Sequence, residues 1–142
     1  VNSVERKRTN GQAVLQWRPI DELTATWSTP ATPRALKLAA EPVRLPTDRA
    51  VSLGVIVTEL VSNACKYAYP HGPGEVRVAL TREGDARFRL SVEDDGVGIG
   101  DAVPKGTGVG TKLIRAMAQS LDTIVEYDST HRGTRAILAG TL

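Results

Sequence analysis

The chain has 142 residues, of which 41% are apolar and 24% charged, with a net charge of +2; that suits one hydrophobic core and is short for two domains. A single cysteine, Cys65, excludes an internal disulfide framework and a multi-thiolate zinc site, and two histidines sixty positions apart make no histidine-rich metal centre. No apolar run reaches the roughly 20 residues that cross a bilayer, Val1 opens no signal-peptide pattern, and so small a charge with 4% aromatic residues argues against a nucleic-acid partner.

Residues 1–13 are polar, carry the basic run Arg6-Lys7-Arg8, and read as a flexible tail or the stump of a preceding element, with the domain proper at 14–142. Val14 to Trp17 fits a short strand, Ile20 to Trp27 has the spacing of a brief amphipathic helix, and Pro30 and Pro33 punctuate the chain. Ala35 to Ala40 and Val43 to Leu45 read as strands. A long helix is predicted from an N-cap at Asp48 to about Tyr67, with Leu53, Ile56, Val57, Leu60 and Val61 as its apolar stripe. Pro70-His71-Gly72-Pro73-Gly74 then forces a turn.

Val76, Val78 and Leu80 alternate with polar residues, as do Phe88, Leu90 and Val92, so two antiparallel neighbours are expected around a Gly84-Asp85 turn. A glycine-rich segment from Gly96 to Gly110 leads into a second helix, Val109 to Leu121, with Leu113, Ile114, Met117 and Leu121 turned inward. Thr123 to Tyr127 and Thr134 to Leu138 make a last pair of strands around Arg132-Gly133. The order predicts an α+β two-layer sandwich, one sheet with helices on one face.

Glu59, Asn63 and Lys66 lie at i, i+4 and i+7, on one face of the first long helix. An acid, an amide and an amine in that order suit a metal-bound polyphosphate. Asn63 can give a neutral oxygen to Mg²⁺, Glu59 can orient or deprotonate a nucleophile, and Lys66 can offset phosphate charge. The same ladder also suits a solvated helix face. Tyr67 adds a flat surface beside it, and Cys65 fits small-residue packing.

Glu93-Asp94-Asp95-Gly96-Val97-Gly98-Ile99-Gly100 follows a strand. Three adjacent carboxylates are costly unless used or solvated, and the glycines let the backbone turn and a ligand approach it. Asp94, ending the strand, is placed to accept from an exocyclic amine such as adenine N6. A calcium loop does not fit, because the acids stop after two and no glutamate closes the loop. Lys105-Gly106-Thr107-Gly108-Val109-Gly110 opens the second helix, where exposed amides and the helix dipole favour an anion. It has neither P-loop nor dinucleotide-fingerprint spacing. Lys105 can reach a terminal phosphate or simply stand solvated, and Asp101 to Lys105 is expected to be a small lid. Thr134 can turn its hydroxyl to the same corner as Asp94. Neither His71 nor His131 has a paired acid or nucleophile at an obvious spacing.

Together, Glu59-Leu-Val-Ser-Asn63-Ala-Cys-Lys66-Tyr67, Asp94-Asp-Gly96-Val-Gly98, Gly106-Thr-Gly108-Val-Gly110 and Gly133-Thr134 resemble the Bergerat ATP-binding fold. That superfamily includes sensor histidine kinases, anti-sigma-factor serine kinases, gyrase, Hsp90 chaperones and MutL proteins. The run from Asp48 to Ala64, its Lys66-Tyr67-Ala68-Tyr69-Pro70 continuation and the short lid are most similar to the catalytic domain of HWE-type histidine kinases and their relatives. The resemblance implies a mixed, largely antiparallel sheet with helices on one face and a short ATP lid. It implies Mg²⁺ on Asn63, Glu59 near the γ-phosphate, Lys66 on phosphate oxygens and Tyr67 against the nucleotide. It implies Asp94 on the adenine amine, with Gly96, Gly98 and Ile99 around that pocket, the phosphates over Gly106 to Gly110, and Thr134 completing the base site.

Two departures stand out: no phosphoacceptor histidine sits on a helix, and Thr107 and Val109 replace the leucines of many kinases. The resemblance therefore implies an ATP-dependent protein histidine kinase domain whose acceptor lies on a separate dimerisation and phosphotransfer domain, with a response regulator downstream. Such a piece is expected to be mostly monomeric and cytoplasmic, without direct membrane contact, even as part of a membrane-anchored sensor. A serine kinase of the anti-sigma-factor type and a non-catalytic nucleotide-binding module are the alternatives.

Overall fold

A computed structural model of the protein describes the backbone of residues 5–9, 12–16, 23–29, 32–98 and 108–142, and side chains from residue 35 onward within those ranges. Strand β1 (Glu5–Thr9) pairs antiparallel with β2 (Gln12–Gln16) as a two-stranded sheet, within and just beyond the stretch expected to be a tail. Six further strands form the main sheet: β3 (Leu23–Thr29), β4 (Thr32–Ala40), β5 (Gly74–Glu83), β6 (Arg87–Asp94), β7 (Glu126–Tyr127) and β8 (Thr134–Thr141), in the spatial order β3-β4-β5-β6-β8-β7. Helix α1 (Thr47–Tyr67) connects β4 to β5, and α2 (Val109–Ser120) lies between β6 and β7. Only β4 and β5 run parallel in this sheet. A parallel pair needs a crossover, which α1 supplies. The expected mixed, largely antiparallel sheet is present.

Burial follows the strand period of two. Val76 and Val78 on β5, Phe88, Leu90 and Val92 on β6, and Ala136 and Leu138 on β8 are buried on one face. Leu53, Ile56, Leu60 and Ala64 of α1 and Ile114 and Ala118 of α2 close over them in one cluster. Ile56 and Phe88 are completely buried. Val57, Val61 and Met117 pack at its margin. Ser52 is the one buried polar residue of α1; its hydroxyl donates to the Asp48 carbonyl and accepts from Ser120 of α2.

Several expectations need correcting. Leu23 to Trp27 belongs to strand β3, with Leu23 opposite Leu38 and Trp27 opposite Arg34. Strand β3 carries three threonines and Trp27, and pairing along β4 outweighs a helical spacing built on few apolar positions. Pro33 does not interrupt β4; it faces Ser28 one residue beyond the start of the β5 ladder, so only one neighbour meets its missing N–H. Val43 to Leu45 is not a strand. Pro42 and Pro46 flank it, and Glu41 makes the closing bonds towards β5, its N–H donating to the Leu80 carbonyl and its carboxylate accepting from the Arg82 N–H. Helix α1 is capped by Pro46 rather than Asp48, whose carboxylate sits in the first turn. Towards the end of the chain, only Glu126 and Tyr127 of the predicted Thr123–Tyr127 strand pair with β8.

Candidate functional site

Helix α1 delivers Glu59, Asn63, Lys66 and Tyr67 to one wall of a cleft of about 550 Å³. The opposite wall comes from the ends of β6 and β8 and the start of α2. Asp94, Gly98, Gly108, Val109, Gly110 and Thr134 line it as expected from the sequence. The apolar floor is Leu60, Ala64, Ala68, Val92 and Ala136, and Thr111 and Tyr127 complete the lining. The floor residues belong to the core cluster, so the cleft lies directly against the packed interior. Tyr67 and Val109 stand exposed at its mouth.

The acidic run divides by strand parity. Asp94 shares the inward face of β6 with Phe88, Leu90 and Val92 and is 2% exposed. Its Oδ1 accepts the N–H of Gly96 at 3.0 Å and of Thr134 at 3.2 Å. The carboxylate is thereby oriented by its own turn and by the strand opposite, and Oδ2 has no protein partner among the described residues. Glu93 and Asp95 face the other side of the sheet. Arg77 of β5 grips Asp95 with two bonds of 2.7 and 2.9 Å, and Arg135 of β8 reaches Glu93 at 3.1 Å. Hydrogen bonding from Arg77 holds the Asp95 carboxyl below its ordinary range, and the same pairing raises Arg77. Lys37, with Arg77 adding to it, lowers Glu75 likewise. Neighbouring arginines therefore use two of the three acids, and only Asp94 is offered to the cleft.

The turn after Asp94 is fixed from two sides. The Asp95 N–H donates to the Tyr69 hydroxyl at 2.8 Å, and the Val97 N–H to the Ala68 carbonyl at 2.8 Å. From the far side, Nε2 of His131 lies 3.1 Å from the Asp94 carbonyl and 3.6 Å from Oδ1 of Asp95. No acid lies at an obvious sequence spacing from either histidine, yet the fold sets His131 beside Asp95. The β6–β8 pairing brings His131 beside residues 36 and 37 positions away, a meeting that sequence spacing could not display. Gly133, at φ +86°, adopts a left-handed backbone where any side chain would run into the Asp94 carbonyl.

Gly96 does not line the cleft. It packs under the end of α1, where a side chain would strike the Ala68 carbonyl, and its N–H orients Asp94. Ile99, Lys105, Gly106 and Thr107, with the expected lid, lie outside the described residues. Sequence reading missed Tyr127 and Thr111 in the lining and Tyr69, His131 and Arg77 behind the turn. Only Tyr69 left a signal, as a second tyrosine beside the Lys66-Tyr67 motif. Among the described residues, no group of three or more His, Cys, Asp or Glu could hold a metal, and no helix is long and apolar enough to cross a membrane.

An Asp-Gly turn at a strand end, an acid–amide–amine helix face and a glycine-opened second helix thus meet around one cleft. Residues 25–139 match the histidine kinase-like ATPase domain, and the chain belongs to that family. It is 33% identical over 99 residues to the sensor histidine kinase PdtaS of Mycobacterium tuberculosis, covering 66% of this chain and 20% of that protein. It is 28% identical over 106 residues to blue-light-activated histidine kinase 2 of Erythrobacter litoralis, covering 72% of this chain and 30% of the relative. The chain therefore spans less than a third of either relative. Among solved structures, the histidine kinase domain of the Erythrobacter litoralis EL346 kinase superposes with a TM-score of 0.70 at 26% identity, over 80% of this chain and 53% of that one. The mycobacterial kinase MprB, 20% identical with a TM-score of 0.61 over 75% of this chain and 80% of that one, shares the fold. The resemblance to histidine kinase catalytic domains read from the sequence is borne out.

Proposed function

We propose that this domain binds Mg-ATP and donates the γ-phosphoryl group to a histidine on a separate dimerisation and phosphoacceptor domain, in two-component signalling with a response regulator downstream. One observation carries the reading: a buried carboxylate, Asp94, held by two backbone N–H groups through one oxygen while it borders the cleft. Leaving such a group unmatched is costly, and an adenine amine is a fitting donor for the second oxygen. The kinase names of the relatives support the transfer chemistry.

Bound Mg-ATP supplies the transferable phosphoryl group and the metal that offsets its charge. Magnesium commonly takes only one or two protein oxygens beside phosphate and water. Asn63, with Glu59 one turn before it, fits that donor set without a cluster of acids. Lys66 balances phosphate charge at the mouth, and Tyr67 offers a flat face to the nucleotide. The amides at Gly108 to Gly110, at the positive end of α2, would hold the phosphates, and Glu59 would orient or accept the proton of the attacking group. Gly106, Thr107 and Lys105 would extend this cradle, Ile99 and Gly98 the base pocket, and Thr134 would complete it beside Asp94.

Calorimetry with ATP, with and without Mg²⁺ and against GTP, tests the binding half. Asn63→Ala should chiefly remove the Mg²⁺ dependence, and Asp94→Ala should weaken ATP selectively. The transfer half is tested by adding a helical-hairpin domain bearing a histidine. Acid-labile, base-stable phosphate on that domain is the expected product. Phosphoserine on a partner would assign a serine kinase, and nucleotide binding without either product a binding module.

A further inference from the structure

We infer that the Tyr69 hydroxyl is a positioning group for base selectivity: it locks the turn that aims Asp94, so one oxygen atom outside the cleft sets how strictly an adenine amine is required. The inference rests on the nucleotide reading of the cleft and deepens it.

Three consecutive amides follow Asp94, and each has a different partner. The Asp95 N–H donates to the Tyr69 hydroxyl, the Gly96 N–H to Oδ1 of Asp94, and the Val97 N–H to the Ala68 carbonyl. Oδ1 of Asp94 is thus oriented by an amide whose two neighbours are both tied to the chain just beyond α1. The tie through Ala68 is backbone and survives any substitution. The tie through Tyr69 depends on a side-chain oxygen. That oxygen also donates to the Glu75 carbonyl at 2.7 Å, so it bridges the start of β5 to the end of β6. A hydroxyl has one proton to give and lone pairs to receive, and this bridge uses it in both senses.

The ring has a built seat. A side chain at Gly74 would occupy the position of the Tyr69 ring, so Gly74 leaves room for it. Tyr69 is half-buried and does not line the cleft, so it acts through Asp94 rather than on a ligand. Phenylalanine would keep the ring in its seat and remove the hydroxyl bridge. The Asp95 N–H would then lack its partner, leaving this peptide held by His131 at the Asp94 carbonyl and by Arg77 at the Asp95 carboxylate. Asp94 would be presented to the cleft less rigidly.

The test compares wild type, Tyr69→Phe and Asp94→Ala by calorimetry with ATP and with ITP, which carries an oxygen in place of the amine, alongside amide hydrogen exchange of the nucleotide-free protein. Tyr69→Phe is expected to weaken ATP roughly fivefold, the worth of about one hydrogen bond, and to leave ITP within about twofold, so the ATP-to-ITP preference shrinks. Exchange at the Asp95 amide should quicken about tenfold while the core strands stay protected. An unchanged ATP-to-ITP ratio, equal losses for both nucleotides, or unaltered Asp95 exchange overturns the positioning role. If wild type binds neither nucleotide, or Asp94→Ala leaves wild-type discrimination intact, the reading of the cleft itself falls and takes this role with it.

Discussion

A methyl group on Gly110 would stand 2.6 Å from Oε2 of Glu59, so the first turn of α2 abuts the carboxylate presented by α1. Helix α2 has no acidic residue in its own first turn. The positive end of its dipole is met instead by an acid from the other helix. Positions 59 and 110 are therefore coupled, and an anion at the start of α2 must share that end with Glu59.

Gly110→Ala should separate stability from activity. Alanine gains about 1 kcal/mol of helix propensity, so the melting temperature should hold or rise. The new methyl group displaces the Glu59 carboxylate, and phosphotransfer should fall about tenfold, with a smaller effect on ATP affinity. Glu59→Ala combined with Gly110→Ala should lose no more than Glu59→Ala alone. Additive losses in such a double-mutant cycle would disconnect the two positions.

Asp94→Asn should alter the chemistry of the base contact while keeping its shape. The amide oxygen can still accept from Gly96 and Thr134, but an NH₂ then replaces the free acceptor. ATP affinity should drop by about one to two orders of magnitude, and ITP should be preferred to ATP. Calorimetry with both nucleotides reads the outcome directly; retained ATP preference would remove Asp94 from base recognition.

Packing at the far end of β6 gives a stability prediction. Phe88 is completely buried, and a methyl group on Gly140 of β8 would lie 2.8 Å from its ring. Phe88→Ala should cost about 3–5 kcal/mol, and Gly140→Ala about 1–3 kcal/mol through overpacking. Phe88→Leu should recover part of the Gly140→Ala loss, measured by urea denaturation, because it withdraws the ring.

Acid sensitivity should centre on the outer face of the sheet. Arg77 depresses Asp95, and Lys37, with help from Arg77, depresses Glu75. Carboxyls lowered in the folded state stabilise it above their unfolded values and lose that contribution as pH falls through the folded ones. The loss should begin below pH ~4. Arg77→Gln should lower the melting temperature at neutral pH and make the acid limb shallower, because its paired acids then titrate nearer their ordinary values. Melting curves at pH 3 to 8 would show it.

Much of the architecture was legible where periodicity was strong. The α1 stripe, the β5–β6 hairpin with Gly84 in its turn, and the run from Val109 into α2 follow from local pattern. The misreadings occurred where pairing overrides local spacing: Leu23 to Trp27 extends because β4 lies beside it, and Pro33 is tolerated because β5 starts one residue later. The cleft was legible because each wall carries its own glycine or helix-face signal. Its supports were not, since Arg77 to Asp95 and His131 to Asp94 are meetings across strands.

The shortest element has a consequence for association. Strand β7 pairs only Glu126 and Tyr127 with Ile137 and Ala136, and beside it the Thr123 hydroxyl donates to the Ala139 carbonyl and the Asp128 N–H to the Arg135 carbonyl. The outer rim of β8 is thus occupied piecemeal, leaving no long row of backbone donors and acceptors for a foreign strand to zip onto. Strand addition at this rim is therefore disfavoured, and a partner that meets the domain here is expected to recognise side chains.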